Sequence, residues 1–509
     1  MGGGLSRTAR LRNGLNRLYR SSRLIWLIIG VGGILRASQF LFDRSLWLDE
    51  AALAINITTR SYSELLQPLD YDQGAPLAFL LVERAMVQAF GTSEYILRLF
   101  PLLCGLLSLF LFYKLAVDHT ATGTIPIAVG LFAVSYKLIY YSSEVKQYSC
   151  DVLITLVICV VGTYVLRNRL TAAWAAIFAA VGAVAVWFSY PAAFVLAGAG
   201  VTLMLASVYT KDWRKLTGLM AVCAVWMLSF AVSYVLSLSN LAQNEFLVGF
   251  WGDAFMPLPP RTAPDLYWLV ETFIGVFQRP LGFFPPGVAA FAFLVGSFSL
   301  LPEKKMATAI LISPLLFALL ASGLRLYPFT DRFLLFAVPL VLLLVAEGAD
   351  RVRIATLHSQ PIVGLVLIGL LFGHPVMSAG YHLMRPRTVT EIKPVLAYVD
   401  EAWQQGDVLY VYHGAWPTLA YYAARYRLTD NEYVVGTYSP QDSRYYAEDL
   451  GQLVGKRRVW ILFAHDEHFP GEKQLFLNHL DSVGRRVDAF DAPGASVYLY
   501  DLGLSPNTE

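Results

Sequence analysis

The sequence predicts an α-helical polytopic membrane protein, with about eleven transmembrane helices and one interfacial helix, followed by a small C-terminal soluble α/β domain. Three observations predict it. The 509-residue chain is 56% hydrophobic and only 15% charged, where a soluble globular chain has about 25% charged residues. Its mean hydropathy is +0.52, and its charges bunch between apolar runs long enough to cross a bilayer. After about residue 384 the pattern changes to short alternating strand-like and helical segments. The net charge is +2, and no basic stripe interleaved with aromatics points to nucleic acid. The four cysteines, Cys104, Cys150, Cys159 and Cys223, lie in or beside apolar runs with no CxxC or zinc spacing. Neither a disulfide framework nor a structural metal is expected.

The N-terminus carries Arg7, Arg10, Arg12, Arg17, Arg20 and Arg23 ahead of the first apolar run, with no small-residue cleavage site after it. This reads as an uncleaved anchor with a cytoplasmic start. The first span covers about residues 24–42. The next apolar run, "APLAFLLVERAMVQAF", is short of the roughly 20 residues a crossing helix needs and holds Glu83 and Arg84 near its centre. A central charge costs about 2.5–3.5 kcal/mol on insertion scales. Residues 75–90 are therefore read as a helix lying in the outer interface.

The remaining spans fall near 95–117, 124–140, 151–166, 171–189, 191–209, 216–236, 288–302, 306–322, 333–347 and 361–378. With this count the clusters "RNR", "KDWRK", "EKK" and "RVR" all face the cytoplasm, as the positive-inside rule favours. A twelfth crossing helix would place them all outside. The transmembrane domain is thus expected over 1–384 and an extracytoplasmic soluble domain over 385–509. In that tail "EIKPVLAYVDEAW", "DVLYVY", "PTLAYYAARY", "RVWILFA" and "SVYLYDL" suggest strands alternating with helices and some parallel pairing.

This topology gathers polar features on the outer face. Asp49 and Glu50 in "RSLWLDEAAL" open a short helix, where acids in the first turn are favoured by the helix dipole. Asp70 and Asp72 sit in "LDYDQGAP" beside Gln73, in keeping with a turn. In "YYSSEVKQYSCD", Glu144 and Lys146 lie among tyrosines. Lys146 is either a snorkelling surface lysine or a compact point charge for a lipid phosphate. Asp151 either caps the next span or is a functional acid. In "RLYPFTDRF", Asp331 and Arg332 either neutralise one another or present the arginine fork to an anionic head group. His413 and His465, in the tail, read as surface histidines. The aromatic stretches "FLVGFWGDAF" and "RPLGFFPPG" either anchor a long external loop at the interface or line a substrate groove. No nucleophile elbow, HExxH, P-loop or kinase motif is present.

Taken in order, the basic start, the span, "LWLDEA", "QGAPLAFLLVERAMVQAFGTSEYILRLFP", "YYSSEVKQYS" and "YPFTDRFLLFAVP" resemble the GT-C superfamily of polytopic glycosyltransferases. They are most similar to bacterial relatives of protein O-mannosyltransferases and lipid A aminoarabinose transferases, over about residues 20–380. The resemblance implies an inverting glycosyltransferase (a hexosyl- or pentosyltransferase) in the bacterial cytoplasmic membrane. It would move a sugar from a polyprenyl-phosphate carrier to an acceptor on the outer face. Asp49, with Glu50 as neighbour, matches the catalytic acid of the first external loop. Lys146 matches a second-loop basic residue that meets carrier phosphate, Arg332 matches a late basic position, and Gln73 stands where relatives carry a basic residue. Glu144 and Asp151 are both candidates for a second acid.

No metal is demanded by that chemistry, though Asp49, Glu50 and Glu144 supply oxygens that would suit Mg²⁺ or Mn²⁺. Partners are the lipid-linked donor, membrane lipids and a glycan, lipid or protein acceptor. The main alternative is a transporter or flippase of lipid-linked sugars. That class predicts charges within crossing helices and repeated halves, whereas here the charges collect at one face and no repeat is evident.

Overall fold

The computed structural model describes residues 22–503, apart from 243, 427, 430–431, 438–448 and 467–470. The arginine-rich residues 1–21 lie outside the described residues, as does part of the tail. Eight helices are long and apolar enough to cross a membrane: Ser22–Leu41, Glu94–His119, Tyr148–Arg167, Ala192–Tyr209, Trp213–Ala242, Pro286–Gly323, Asp331–Thr356 and Pro361–Met384. Two shorter apolar helices, Thr124–Val134 and Ala172–Phe188, complete the bundle. The chain is a multi-pass membrane protein.

The helices are labelled in chain order: α1 Ser22–Leu41, α2 Leu48–Thr59, α3 Leu77–Phe90, α4 Glu94–His119, α5 Thr124–Val134, α6 Tyr136–Tyr141, α7 Tyr148–Arg167, α8 Ala172–Phe188, α9 Ala192–Tyr209, α10 Trp213–Ser233, α11 Ala263–Gln278, α12 Pro286–Gly323, α13 Val338–Thr356 and α14 Pro361–Met384. Local chemistry sets many of the starts. Ser93, Thr171 and Asp212 each accept a backbone N–H in the first turn of α4, α8 and α10, and Thr262 with Asp265 forms a capping box on α11.

The structure differs from the expected spans in one place. The predicted span at 124–140 is broken at Ser135, whose extended backbone separates α5 from α6. The predicted spans at 288–302 and 306–322 are the two halves of α12, parted at Lys304, where φ is −140° and ψ 49°. Its two halves fold back on each other. Phe293 in the first half meets Phe273 and Phe277 of α11, and Ser322 at the far end of the second half accepts from Met256 N. A straight helix at about 1.5 Å per residue would hold Pro286 and Gly323 roughly 55 Å apart, yet Gly323 and Arg279, just ahead of the first half, line one cavity. Counted this way, the chain traverses the bundle at each of the expected positions.

Close helix contact rests on small residues. A Cβ at Gly296 would collide with the Leu344 carbonyl, and one at Gly348 with that of Ala292. This fixes the crossing of α12 and α13. α3 does not cross. Its 14 residues pack on α2 and α4, Arg84 donates to the carbonyls of Ile57 and Thr58, and Glu83 is fully buried with neither oxygen partnered among the described residues. Burial pushes the Glu83 carboxyl well above the ordinary range, which lets it sit there as the neutral acid.

The bundle has two chemically distinct ends. One gathers residues 119–124, 167–172, 209–213, 303–305 and 353–361: Lys304 donates to His119 O, Arg351 pairs with Glu303, and Thr124 donates to Glu347 and Asp350. The other gathers residues 42–93, 142–147, 244–285 and 324–332. The tail sits on this second end. It is a five-stranded sheet of order β2-β1-β3-β5-β4, with β1 Val408–Val411, β2 Tyr433–Val435 and β3 Val459–Ala464 parallel, and β4 Arg485–Ala492 and β5 Ala495–Asp501 antiparallel. Helices Ile392–Ala402, Trp416–Tyr422 and Glu472–Val483 pack around it. One continuous apolar cluster joins Leu46, Leu53 and Ile57 of the first loop to Leu396, Leu419 and Trp460 of the tail. Glu94 of α4 is clamped by both Arg425 nitrogens at 2.9 Å. The tail is therefore cemented to the bundle rather than tethered to it.

Candidate functional site

Asp49 and Glu50 are adjacent in sequence but lie in opposite environments. Glu50 is fully buried. It accepts from Arg98 Nε and Nη2 at 3.0 and 2.8 Å, from Arg44 at 3.4 Å, and from the Val145 backbone N–H at 2.9 Å. Burial alone would raise its pKa, but Arg44 and Arg98 with these hydrogen bonds outweigh it and hold the carboxyl below the ordinary range. Glu50 thus pins the 142–147 loop and α4 to the start of α2. Every strong donor around it is committed to structure.

Asp49 projects the other way. Its Oδ2 lies 2.6 Å from Arg332 Nη1, and the two side chains are 21% and 20% exposed. The start of α2 has no side-chain cap of its own, which leaves first-turn N–H groups and their partial positive charge close to this carboxylate. Burial pushes the Asp49 carboxyl up, but Lys146 and Arg332, with a smaller contribution from His465, outweigh it and keep it low. Arg332 is itself framed by the rings of Trp47, Trp251 and Phe333 at 5.7, 5.4 and 6.0 Å. Its neighbour Asp331 pairs with Lys137 at 3.1 Å.

Lys146 is buried and donates to Gln73 Oε1 at 2.5 Å. Burial lowers its pKa, opposed by the charge of Asp49. Gln73, expected as a phosphate contact, orients this lysine. Glu144, one turn of loop away, is fully buried, and neither of its oxygens has a hydrogen-bond partner among the described residues. Burial first, then the charge of Glu50, raises its carboxyl to about 7. Tyr141 and Tyr148, edge to face at 5.0 Å, wall the same space.

Of the sequence-predicted residues, Asp49, Lys146, Arg332, Gln73 and Glu144 come together. Asp151 does not join them: it is buried in the first turn of α7 beside Ser189 and Tyr190. Four partners escaped sequence reasoning. Arg44 and Arg98 stand inside the quoted stretches "RSLWLDEAAL" and "GTSEYILRLF", but only the fold shows that both serve Glu50. Lys137 carried no signal beyond its residue type, and His465, read as a surface histidine, is buried.

The acids do not fit a divalent cation. Glu50 is bound by Arg44 and Arg98, Asp49 Oδ2 pairs with Arg332, and Lys146 places a positive charge near both Asp49 and Glu144. Among the described residues no three His, Cys, Asp or Glu side chains converge as metal ligands.

Two cavities border this region. A large one of about 1170 Å³ runs beneath the 252–279 loop, with Asp253, Trp268, Glu271, Arg279 and Arg325 among its lining, and reaches Asp331. A small one of about 70 Å³, between Leu66, Leu77, Leu236 and Leu241, opens on Gln73. Fold and site together define a polytopic membrane protein with a carboxylate–cation centre at one end of its bundle, covered by an α/β domain.

Sequence comparison matches the chain to no family profile and to no curated protein. Structure comparison is informative. ArnT from Cupriavidus metallidurans bound to undecaprenyl phosphate aligns with a TM-score of 0.52 at 12% identity, covering 94% of this chain and 98% of that one. Its apo state gives 0.51 at 12% identity, covering 95% and 99%. The Archaeoglobus fulgidus oligosaccharyltransferase tethered to an acceptor peptide gives 0.49 at 9% identity, covering 94% and 74%. The chain shares the fold of ArnT over nearly its whole length.

Proposed function

We propose that the chain is an inverting glycosyltransferase that moves a sugar from a polyprenyl-phosphate carrier to an acceptor on the outer face of a bacterial cytoplasmic membrane. The observation that carries this reading is the meeting of Asp49 with Arg332 and Lys146, three charges from three separate segments at one end of the bundle. The basic residues Arg167, Arg169, Lys211, Arg214, Lys304, Lys305, Arg351 and Arg353 gather at the opposite end. The positive-inside rule assigns that end to the cytoplasm, which puts the centre and the tail outside. A polyprenyl chain stays in lipid while its phosphate and sugar sit at the wet edge, so chemistry on it belongs at such an end. That the charged centre lies at the end of the bundle and not midway along it favours transfer over transport.

In this reading the donor phosphate competes with Asp49 for Arg332, whose planar fork suits two phosphate oxygens, and takes Lys146 as a point charge. That frees Asp49 to accept a proton from the acceptor hydroxyl or amine as it attacks the anomeric carbon. The bond from that carbon to the phosphate oxygen breaks on the opposite face, so the configuration inverts. The negative charge leaving on the carrier phosphate is held by Arg332 and Lys146. Glu144 is the second acid, preferred over Asp151 because it borders the same space. The cavity beneath the 252–279 segment has room for a sugar and part of an amphiphile.

The test is turnover of a radiolabelled polyprenyl-phosphate sugar by purified protein in nanodiscs. Wild type releases polyprenyl phosphate in step with acceptor glycosylation. Asp49→Asn binds the donor but releases polyprenyl phosphate roughly 10²–10⁴-fold more slowly. Equal turnover by both proteins contradicts the assignment.

A further inference from the structure

The tail touches the catalytic segment at one place more closely than a cover needs to. Residues 44–47 lead into α2 at Leu48, and Arg98 holds two of their carbonyls, donating to Arg44 O at 2.7 Å and Ser45 O at 3.2 Å. The N–H groups here are held from the other side by the tail region: Ser45 N donates to Glu391 Oε2 at 3.2 Å, Leu46 N to Tyr422 Oη at 2.9 Å, and Leu48 N to His465 Nε2 at 2.9 Å. Leu48 is the first residue of α2 and the neighbour of Asp49, and the α2 start lacks a side-chain cap.

His465 follows directly on β3, at the carboxyl end of a parallel strand, the edge at which open α/β sheets place functional groups. It is buried, at 7% exposure, with φ at +59°, a left-handed backbone that a histidine adopts at a strain cost. Its ring sits 6.2 Å from that of Trp47, which also frames Arg332. Thr390 Oγ1 lies 3.2 Å from its Nε2. Because Nε2 accepts from Leu48, the ring proton belongs on Nδ1.

We propose that His465 is a positioning residue for Asp49: the tail supplies, across the domain boundary, the cap that fixes the first turn of α2, so the soluble domain is part of the catalytic centre and not an accessory acceptor-binding module. This rests on the glycosyl-transfer reading of Asp49. A 1 Å shift of a reacting group can cost roughly a hundredfold in rate, and α2 without its cap is free to make such a shift.

The experiment compares full-length wild type, His465→Ala and His465→Gln in nanodiscs by donor turnover and by amide hydrogen exchange over residues 44–50. The glutamine Oε1 can still accept the Leu48 N–H. The expected result is that His465→Ala loses roughly 10- to 100-fold in kcat with the donor KM within about twofold of wild type. Its Leu48 amide exchanges faster while the transmembrane helices keep their protection. Glutamine, or added imidazole on the alanine variant, restores most of both. Wild-type kcat and Leu48 exchange in His465→Ala overturns the proposal. So does a loss of protection across the whole protein that glutamine fails to repair, since that marks a folding role. If wild type shows no turnover, the transferase reading falls, and Leu48 exchange still decides whether His465 caps α2.

Discussion

The two ends of the helix bundle both carry charges and use them differently. At the end formed by residues 119–124 and 303–305, acids meet their cations directly. Asp118 lies 2.6 Å from Lys114 and also pairs with Arg167. Glu303 and Glu347 share Arg351 at 2.7 and 2.8 Å, and Asp350 holds Arg353. At the other end, the oxygens of Glu144, Asp331 Oδ1, Arg332 Nε and the Tyr140 hydroxyl are buried without partners among the described residues. A buried polar group left unsatisfied costs about 1–3 kcal/mol, and such groups call for an explanation. The difference teaches that one end closes the fold, while the other tolerates cost where the proposed donor would supply the missing partners. The adjacent pair Asp49 and Glu50 repeats the contrast on the scale of one peptide bond: Glu50 is spent on structure and Asp49 is available.

The largest effect expected from breaking this contrast is on rate. Asp49→Asn should lower donor turnover by roughly 10²–10⁴-fold, with a melting temperature in nanodiscs close to wild type. Glu50→Gln should do the reverse in kind. It strips the charge that two buried arginines share, a loss of about 3–5 kcal/mol, read as a fall in melting temperature and in yield of folded protein. If Glu50→Gln melts as wild type does, the assignment of that residue to structure is wrong.

Arg332→Gln should lose roughly 10²-fold in turnover and weaken binding of unglycosylated polyprenyl phosphate, measured by displacement of a fluorescent analogue. Glu144 makes a prediction in pH. Its carboxyl is raised to about 7 in the fold, against about 4.3 unfolded, so the folded state binds the extra proton between those values. Stability contributed by this group is therefore full below about pH 4, declines as pH rises toward 7, and is a penalty above it. Glu144→Gln should flatten that slope and stabilise the protein at pH 8 by on the order of 1–3 kcal/mol. An unchanged slope would show that Glu144 is solvated. The smallest effect belongs to the closed end: Lys114→Ala, breaking an exposed i,i+4 pair, should change stability by less than about 0.5 kcal/mol and leave turnover alone.

The parts of the fold legible in the sequence were those set by composition and periodicity: the polytopic class, the non-crossing helix carrying Glu83, and a tail mixing parallel strands with helices. The break at Lys304 was legible too, because "EKK" interrupts the apolar run there. The break at Ser135 was not: a single serine in an apolar run does not mark a helix end, and the backbone turns extended there. In the site, Asp49, Lys146 and Arg332 stood out because charge beside a span is costly and therefore rare. Nothing local separated Asp49 from Glu50, since their fates depend on Arg98, 48 residues away. Glu144 and Asp151 differ likewise only in which space they border. His465 was invisible because its meaning lies in a backbone N–H 417 residues distant.

The central claim is that the Asp49 carboxylate performs chemistry on a lipid-linked sugar. The most direct measurement is mass spectrometry of cell-envelope glycans from a strain lacking the protein, complemented with wild type or Asp49→Asn at matched membrane abundance. The account predicts that one glycosylated species disappears on deletion, returns with wild type, and stays absent with Asp49→Asn. Return of that species with the asparagine variant would contradict it.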